Sequence, residues 1–328
     1  MRVLAAVDKF RGTATAREVA AAIGNACWDL GHDCDEAPLA DGGEGTLEVM
    51  GGANRTTRVS GPLGEPVDAG WRLQGRTAII EMARASGLTL AGGAERNDPL
   101  AASTRGTGQL IDAALGAGAR RIIVCLGGSA TTDGGLGAIQ ALPSRARLRG
   151  VELLVACDVT TTFTDAARVF GPQKGATPTQ VEFLTNRLHA LAEQYRSEFG
   201  VDVRTIPGAG AAGGLAGALA ALGGELVPGF DLVADEVDLH DRLDAVDLVI
   251  TGEGYLDAQS FEGKVVGGVL HLAEMAHRNI AVLVGDADPE AAARVQAITL
   301  VGRFGEADAF GRTTWCIEQA VRELLAAR

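Results

Sequence analysis

The chain has 328 residues, 47% of them apolar and 22% charged, and carries a net charge of −13. That length allows two hydrophobic cores, and the acidic balance argues against nucleic acid and anionic membrane surfaces as partners. No apolar run approaches the ~18 residues of a membrane span. The opening run 2–7 is too short for a signal peptide, and five scattered cysteines without a CxxC motif fit a reduced, cytoplasmic protein.

Glycine is abundant at 45 residues and aromatics are scarce at 4%, which suits an α/β enzyme with many tight strand-to-helix turns. In chain order, 2–7 predicts a buried strand, 15–30 an amphipathic helix, 36–40 a short strand and 46–50 a helix after a glycine turn. Segments 55–60, 66–73 and 77–82 are separated by turn residues and read as an antiparallel meander. Next come a helix at 108–115, a strand at 121–126, a helix at 135–142 and a strand at 152–159. The longest helix is expected at 178–199, followed by a strand-like stretch at 201–206 and a Gly/Ala-rich helix at 211–222. The strand–helix rhythm then returns, with strands at 247–251, 279–285 and 298–301 and helices at 265–277, 290–296 and 314–327.

Two opening and three closing strands predict a five-strand, doubly wound, Rossmann-like parallel sheet. An inserted mixed α/β domain would split it, giving 1–58 and 232–328 for the first domain and 59–231 for the second. The cleft between such domains is the default ligand site.

Only three of the 29 basic residues are lysine, and each sits in a glycine-bearing segment. A compact ammonium meets a phosphate oxygen as a point charge, which a planar guanidinium does not reproduce. Lys9 lies in Asp8-Lys9-Phe10-Arg11-Gly12, just beyond the first strand, where ligands bind in open α/β sheets. Asp8, beside two cations, can hold a charge and accept a proton or a metal. The loop Asp41-Gly42-Gly43-Glu44-Gly45 joins a strand to a helix, so its amides could approach an anion while Asp41 serves as a base or metal holder. Gly128-Ser129-Ala130-Thr131-Thr132-Asp133 again follows a strand and precedes a helix, a phosphate or carboxylate cradle. Lys174, with Asp158 upstream, and the run Gly252-Glu253 through Asp257 to Lys264 complete the set.

The stretch Gly208–Gly213 matches GxGxxG, a weak signal alone; Pro228-Gly229 breaks the segment before an acid that could hold a ribose. There is no P-loop motif, no zinc spacing and no Cys/His catalytic pair. Glycine loops at strand ends, scattered carboxylates and selected lysines are the parts of metal-assisted phosphoryl transfer, without naming the acceptor.

Five motifs in order, Ala40-Asp-Gly-Gly-Glu-Gly-Thr46, Gly128-Ser-Ala-Thr-Thr-Asp-Gly-Gly135, Phe170-Gly-Pro-Gln-Lys-Gly-Ala176, Pro207-Gly-Ala-Gly-Ala-Ala-Gly-Gly214 and Thr251-Gly-Glu-Gly254 with Leu256-Asp257, resemble type I glycerate kinase. The resemblance implies a flavodoxin-like domain with an inserted second domain. It also implies ATP- and Mg²⁺-dependent phosphorylation of D-glycerate, usually to 2-phosphoglycerate. On this expectation Asp41 is the leading base, with Asp8, Lys264 and Asp257 also catalytic. Lys9, Arg11, Gly42, Gly43, Gly128, Ser129, Thr131, Lys174, Gly252 and Glu253 bind substrate or nucleotide, and Asp133 and Asp158 hold the metal. The family's Asp-Ser-Phe-Lys-Gly stands here as Asp8-Lys9-Phe10-Arg11-Gly12, so the cation has moved. A kinase of another small hydroxy acid and a non-catalytic small-acid binder stay open as alternatives, as does a homodimer.

Overall fold

The computed structural model describes residues 1–10 and 12–327. The strands, in chain order, are β1 (Arg2–Val7), β2 (Asp33–Pro38), β3 (Arg55–Ser60), β4 (Pro66–Gln74), β5 (Thr77–Glu81), β6 (Arg121–Cys125), β7 (Glu152–Ala156), β8 (Glu225–Val227), β9 (Leu248–Thr251), β10 (Tyr255–Leu256), β11 (Asn279–Val284), β12 (Asp286–Ala287) and β13 (Ile298–Thr299). The chain divides into two compact units, Met1–Asp41 with Gly229–Arg328, and Gly42–Pro228.

The first unit carries a parallel sheet in the order β13-β11-β9-β1-β2. In β1 the run Val3–Val7 is buried throughout, as a central strand covered on both faces demands. Val3 pairs with Leu248 and Ala5 with Ile250 on one side, while Val3 pairs with Cys34 on the other. The helix Ala16–Asp29 starts at a Thr15/Glu18 capping box and lays Val19, Ile23 and Cys27 against this sheet together with Ile317 and Val321 of the helix Thr313–Ala326. The chain leaves β1 for β2 on one side, then returns to β9 on the other, so the strand order reverses between β1 and β9. Ligands bind outside the carboxyl ends of strands at such a reversal.

The second unit has a six-stranded sheet, β3-β4-β5-β6-β7-β8, antiparallel from β3 to β5 and parallel from β5 to β8. The meander expected at 55–82 is present, and Ile80, Ile122, Val124 and Val155 form its core with Leu110 and Leu215. The longest helix is Pro178–Phe199, opened by a Thr177/Gln180 capping box and closed by Gly200 at φ 73°.

Several expectations change. Against boundaries of 58 and 232, the compact units divide at 41 and 228, so 42–58 goes with the second unit. The strand expected at 201–206 is a 3₁₀ turn, Val203–Thr205, because the Asp202 carboxylate accepts from its neighbour Arg204 N at 3.2 Å and draws the chain into a turn. The strand expected at 298–301 pairs only over Ile298–Thr299, and Leu300–Phe304 is helical. Helices Gly229–Glu236 and Leu239–Asp244 lie where Pro228-Gly229 had suggested only a break. All five cysteines are free thiols. No helix among the described residues is long and apolar enough to cross a membrane.

Candidate active site

The carboxyl ends of β1 and β9 bring several charged side chains of the first unit together. Asp8 N donates to Gly252 O at 3.0 Å, so the loops after the two strands leave side by side. Leu39 N donates to Val7 O at 2.8 Å, which brings the segment ending at Asp41 alongside them. Phe10, 1% exposed, anchors the loop after β1 through a bridge to Ala14.

Asp8 is 9% exposed. Its Oδ1 accepts from Lys9 N at 2.7 Å and lies 3.7 Å from Lys9 Nζ. Burial pushes its carboxyl up to about 6 against the pull of Lys9, and the neighbouring Asp41 adds to the rise. Glu253 is half-buried as a residue, yet its Oε1 is enclosed and has no hydrogen-bond partner. Burial pushes Glu253 up to about 7; Asp8 and Asp257 raise it further, while a Ser260 hydrogen bond and Lys264 oppose the rise. Asp8, Asp41, Glu253, Asp257, Lys9 and Lys264 therefore act on one another at one sheet edge.

Asp257 has a structural duty there. Its Oδ1 accepts from Gln259 N at 2.8 Å and Ser260 N at 3.1 Å, capping the 3₁₀ turn Ala258–Phe261. Lys264 occupies the N-cap position of the helix Val265–Met275, which has no side-chain cap. A helix head without a side-chain cap, next to an ammonium, suits a phosphate. Gly252 needs to be glycine, since a Cβ would collide with Leu283 O of β11. Arg11 lies outside the described residues.

The glycine loops of the second unit are built differently. The helix head after Gly42 and Gly43 was expected to take an anion, but Gly45 N and Leu47 N both donate to Glu81 Oε1 at 2.8 Å. The cradle at 128–135 is likewise filled from within. Asp133 Oδ2 accepts from Thr104 N and Thr104 Oγ1, both at 2.9 Å, and from Gly137 N at 3.2 Å, while Oδ1 accepts from Gly135 N at 3.0 Å. Asp133 thus organises its loop chiefly through Oδ2, while Oδ1 accepts only from Gly135 N. Asp158 follows β7 in the same unit, and no group of three or more His, Cys, Asp or Glu side chains gathers for a metal among the described residues.

Lys174 was expected to reach out to a ligand. Instead it is 2% exposed, and its Nζ donates to Ser129 Oγ at 2.8 Å and Thr131 O at 2.7 Å. Burial pulls its ammonium down to about 7 against the attraction of Asp133. Gly128 is left-handed at φ 62°, and a Cβ there would collide with the Glu44 carboxylate. The GxGxxG stretch is packing: a Cβ on Gly213 would strike Thr131 O, and Gly134 N donates to Gly213 O at 3.0 Å. Sequence reasoning passed over Ser260, Glu81 and Thr104. Of these only Ser260 left a signal, three residues after Asp257 at capping-box spacing.

An open parallel sheet that gathers raised-pKa carboxylates and lysines at its carboxyl edge defines a site able to manage an anion and a proton together, the work of a phosphotransferase. The glycerate kinase family model matches residues 3–146 and 143–327. A glycerate 2-kinase of Escherichia coli strain K12 is 41% identical over 87% of this chain and 85% of its own length. A glycerate kinase of Bacillus subtilis strain 168 is 42% identical over 84% and 82%. The crystal structure of a candidate glycerate kinase 2 from Salmonella typhimurium LT2 superposes with a TM-score of 0.85 at 35% identity, covering 100% of this chain and 98% of that one. The chain belongs to the glycerate kinase family and is an enzyme of the kinase class.

Proposed function

We propose that the protein transfers the γ-phosphoryl group of ATP to the 2-hydroxyl of D-glycerate, yielding 2-phosphoglycerate. The observation that carries this reading is the meeting of Asp8, Glu253 and Lys264 beyond β1 and β9. A hydroxyl that attacks a phosphoryl group must lose its proton, and a base works best with a pKa near the operating pH. Glu253, at about 7 and with Oε1 unpartnered, meets that need better than Asp41, which stands beside Asp8 and raises it. Asp8 keeps a second negative charge near Glu253 and holds its basicity up.

Lys264 and the open head of Val265–Met275 would receive phosphate oxygens, with Lys9 a second cation at the same edge. These cations offset locally the repulsion that a chain of net charge −13 exerts on ATP. Mg²⁺ would neutralise developing phosphate charge when bound; of the expected holders Asp133 and Asp158, Asp133 spends Oδ2 on its loop and has Oδ1, bonded to Gly135 N alone, to offer. Reduced thiols and ATP supply suit the cytoplasm.

Two-dimensional ¹H–³¹P NMR of a reaction with ATP and D-glycerate tests the reading. The product phosphorus should correlate with a single methine proton. Correlation with a methylene pair, or ATP turnover only with a different hydroxy acid, would overturn it.

A further inference from the structure

Strand β9 ends in a hydroxyl that the proposed reaction does not use. Thr251 is 0% exposed, and Val282, its partner on β11, is buried beside it. A valine at 251 would have the same shape with no polar atom to satisfy. Among the described residues, Thr251 Oγ1 is enclosed without a hydrogen-bond partner, and so is Glu253 Oε1. Buried polar atoms are almost always hydrogen-bonded, and one left alone is destabilising. The two atoms belong to one face of the sheet. Gly285 N donates to Glu253 O at 3.1 Å, which carries the register of Thr251 with Val282 on to Glu253. Asp8 N, donating to Gly252 O at 3.0 Å, keeps the β1 side in line. Side chains two apart on a strand share a face, with Cα atoms about 6.6 Å apart. A water bonded to two oxygens spans about 5.5 Å between them, and the length of the Glu253 side chain closes the difference.

We propose that Thr251 Oγ1 and Glu253 Oε1 together hold one internal water, which makes Thr251 a positioning residue of the phosphoryl transfer. This rests on the reading of Glu253 as the base. An ionised carboxylate oxygen only accepts, so the water donates one proton to Oε1 and meets the Thr251 hydroxyl with its other proton or a lone pair. Pinning the enclosed oxygen fixes the plane of the carboxyl group and leaves the other oxygen of this half-buried residue for the substrate hydroxyl. Thr251 is buried completely, so it touches no substrate and acts through the water. Strand β9 lies between β1 and β11, and ladders on both sides hold the Thr251 backbone still. The base is thus aimed from a rigid strand beneath it.

Crystallography and steady-state kinetics test this together. A high-resolution crystal structure of the wild type should show a water within about 3 Å of both Oγ1 and Oε1. Ordered Thr251 and Glu253 side chains with no density between them would overturn the inference, whatever the variants do. Thr251→Val keeps the shape and removes the hydroxyl. It should lose the water, lower kcat by about tenfold through a misaligned base, and leave KM for ATP and for D-glycerate nearly unchanged. Thr251→Ser restores the hydroxyl on a smaller side chain and should recover the water and most of kcat. A role in packing alone predicts the reverse order, because valine fills the space better than serine. A folded Thr251→Val protein with wild-type kcat, or a serine variant slower than the valine variant, therefore overturns the inference. Wild-type turnover in Glu253→Gln would instead overturn the base assignment beneath it, while the water would still stand in the wild-type crystal, so the two failures are separable.

Discussion

Removing the charge of Asp8 should make the protein more stable and less active, and the gain in stability should depend on pH. Asp8 is raised from its ordinary 3.8 to about 6, chiefly by burial. Each unit corresponds to about 1.4 kcal/mol, so keeping Asp8 ionised at pH 8 costs the folded state about 3 kcal/mol. The folded carboxyl binds its proton more tightly than the unfolded one. Its favourable contribution is therefore complete below pH 3.8 and is lost as pH rises through about 6. Asp8→Asn removes the titration while keeping an oxygen that can accept from Lys9 N, now 2.7 Å from Oδ1. Urea denaturation of both proteins at pH 4 and pH 8 measures the difference. The variant should gain under about 1 kcal/mol at pH 4 and about 1–3 kcal/mol at pH 8, the lower end allowing for imperfect burial of the amide. A difference that stays flat with pH, or a variant that is weaker at pH 8, would refute the reasoning. The same substitution removes a like charge from Glu253 and should move the acid limb of kcat down.

Lys264→Ala should lower turnover by about two orders of magnitude, with a nearly unchanged melting temperature, because the side chain is half-buried at a helix head and caps nothing; steady-state kinetics beside a thermal melt would show it. Lys174→Met should instead cost about 2–3 kcal/mol in urea near pH 10, since Ser129 Oγ and Thr131 O lose their donor, and less at pH 7, where burial of the ammonium already weakens the wild type. Lys174 is pulled down to about 7, so wild-type stability should rise from pH 7 toward 10.5 and the variant should lose that slope. Gly252→Ala should destabilise by more than about 3 kcal/mol or prevent folding, because Leu283 O is backbone and cannot yield. Gly12→Ala, with open space but φ +84°, should cost about 1 kcal/mol, and chemical denaturation would rank the pair.

Strand β1 and the helix Pro178–Phe199 could be read from the sequence because each is fixed locally: Val3–Val7 is an unbroken apolar run, and Thr177 with Gln180 announces its helix. The misread segments are those where a side chain or a distant partner decides. Val201 and Val203 alternate like the start of a strand, but the Asp202 carboxylate bends the chain into a turn. The acids in glycine loops look alike in sequence, although Asp133 and Asp8 have opposite fates. Thr104, which satisfies Asp133, is 29 residues away, and Glu81, which fills the helix head after Gly45, is 36 residues away. Only the fold shows that carboxylates of the second unit, Glu81 and Asp133, fill the helix heads after its glycine loops, whereas the head at Lys264 has no side-chain cap. The scarcity of lysine pointed to three places, and at one of them Lys174 is a buried tie between Ser129 and Thr131.

The most direct test of the account is single-turnover phosphoryl transfer by Glu253→Gln at pH 7.5, with ATP binding followed by calorimetry on the same preparation. Loss of a positioned base costs about 10²–10⁴ in rate, so the chemical step should slow at least a hundredfold while ATP binds as in the wild type. A wild-type transfer rate in this variant would contradict the assignment of Glu253 as the proton acceptor.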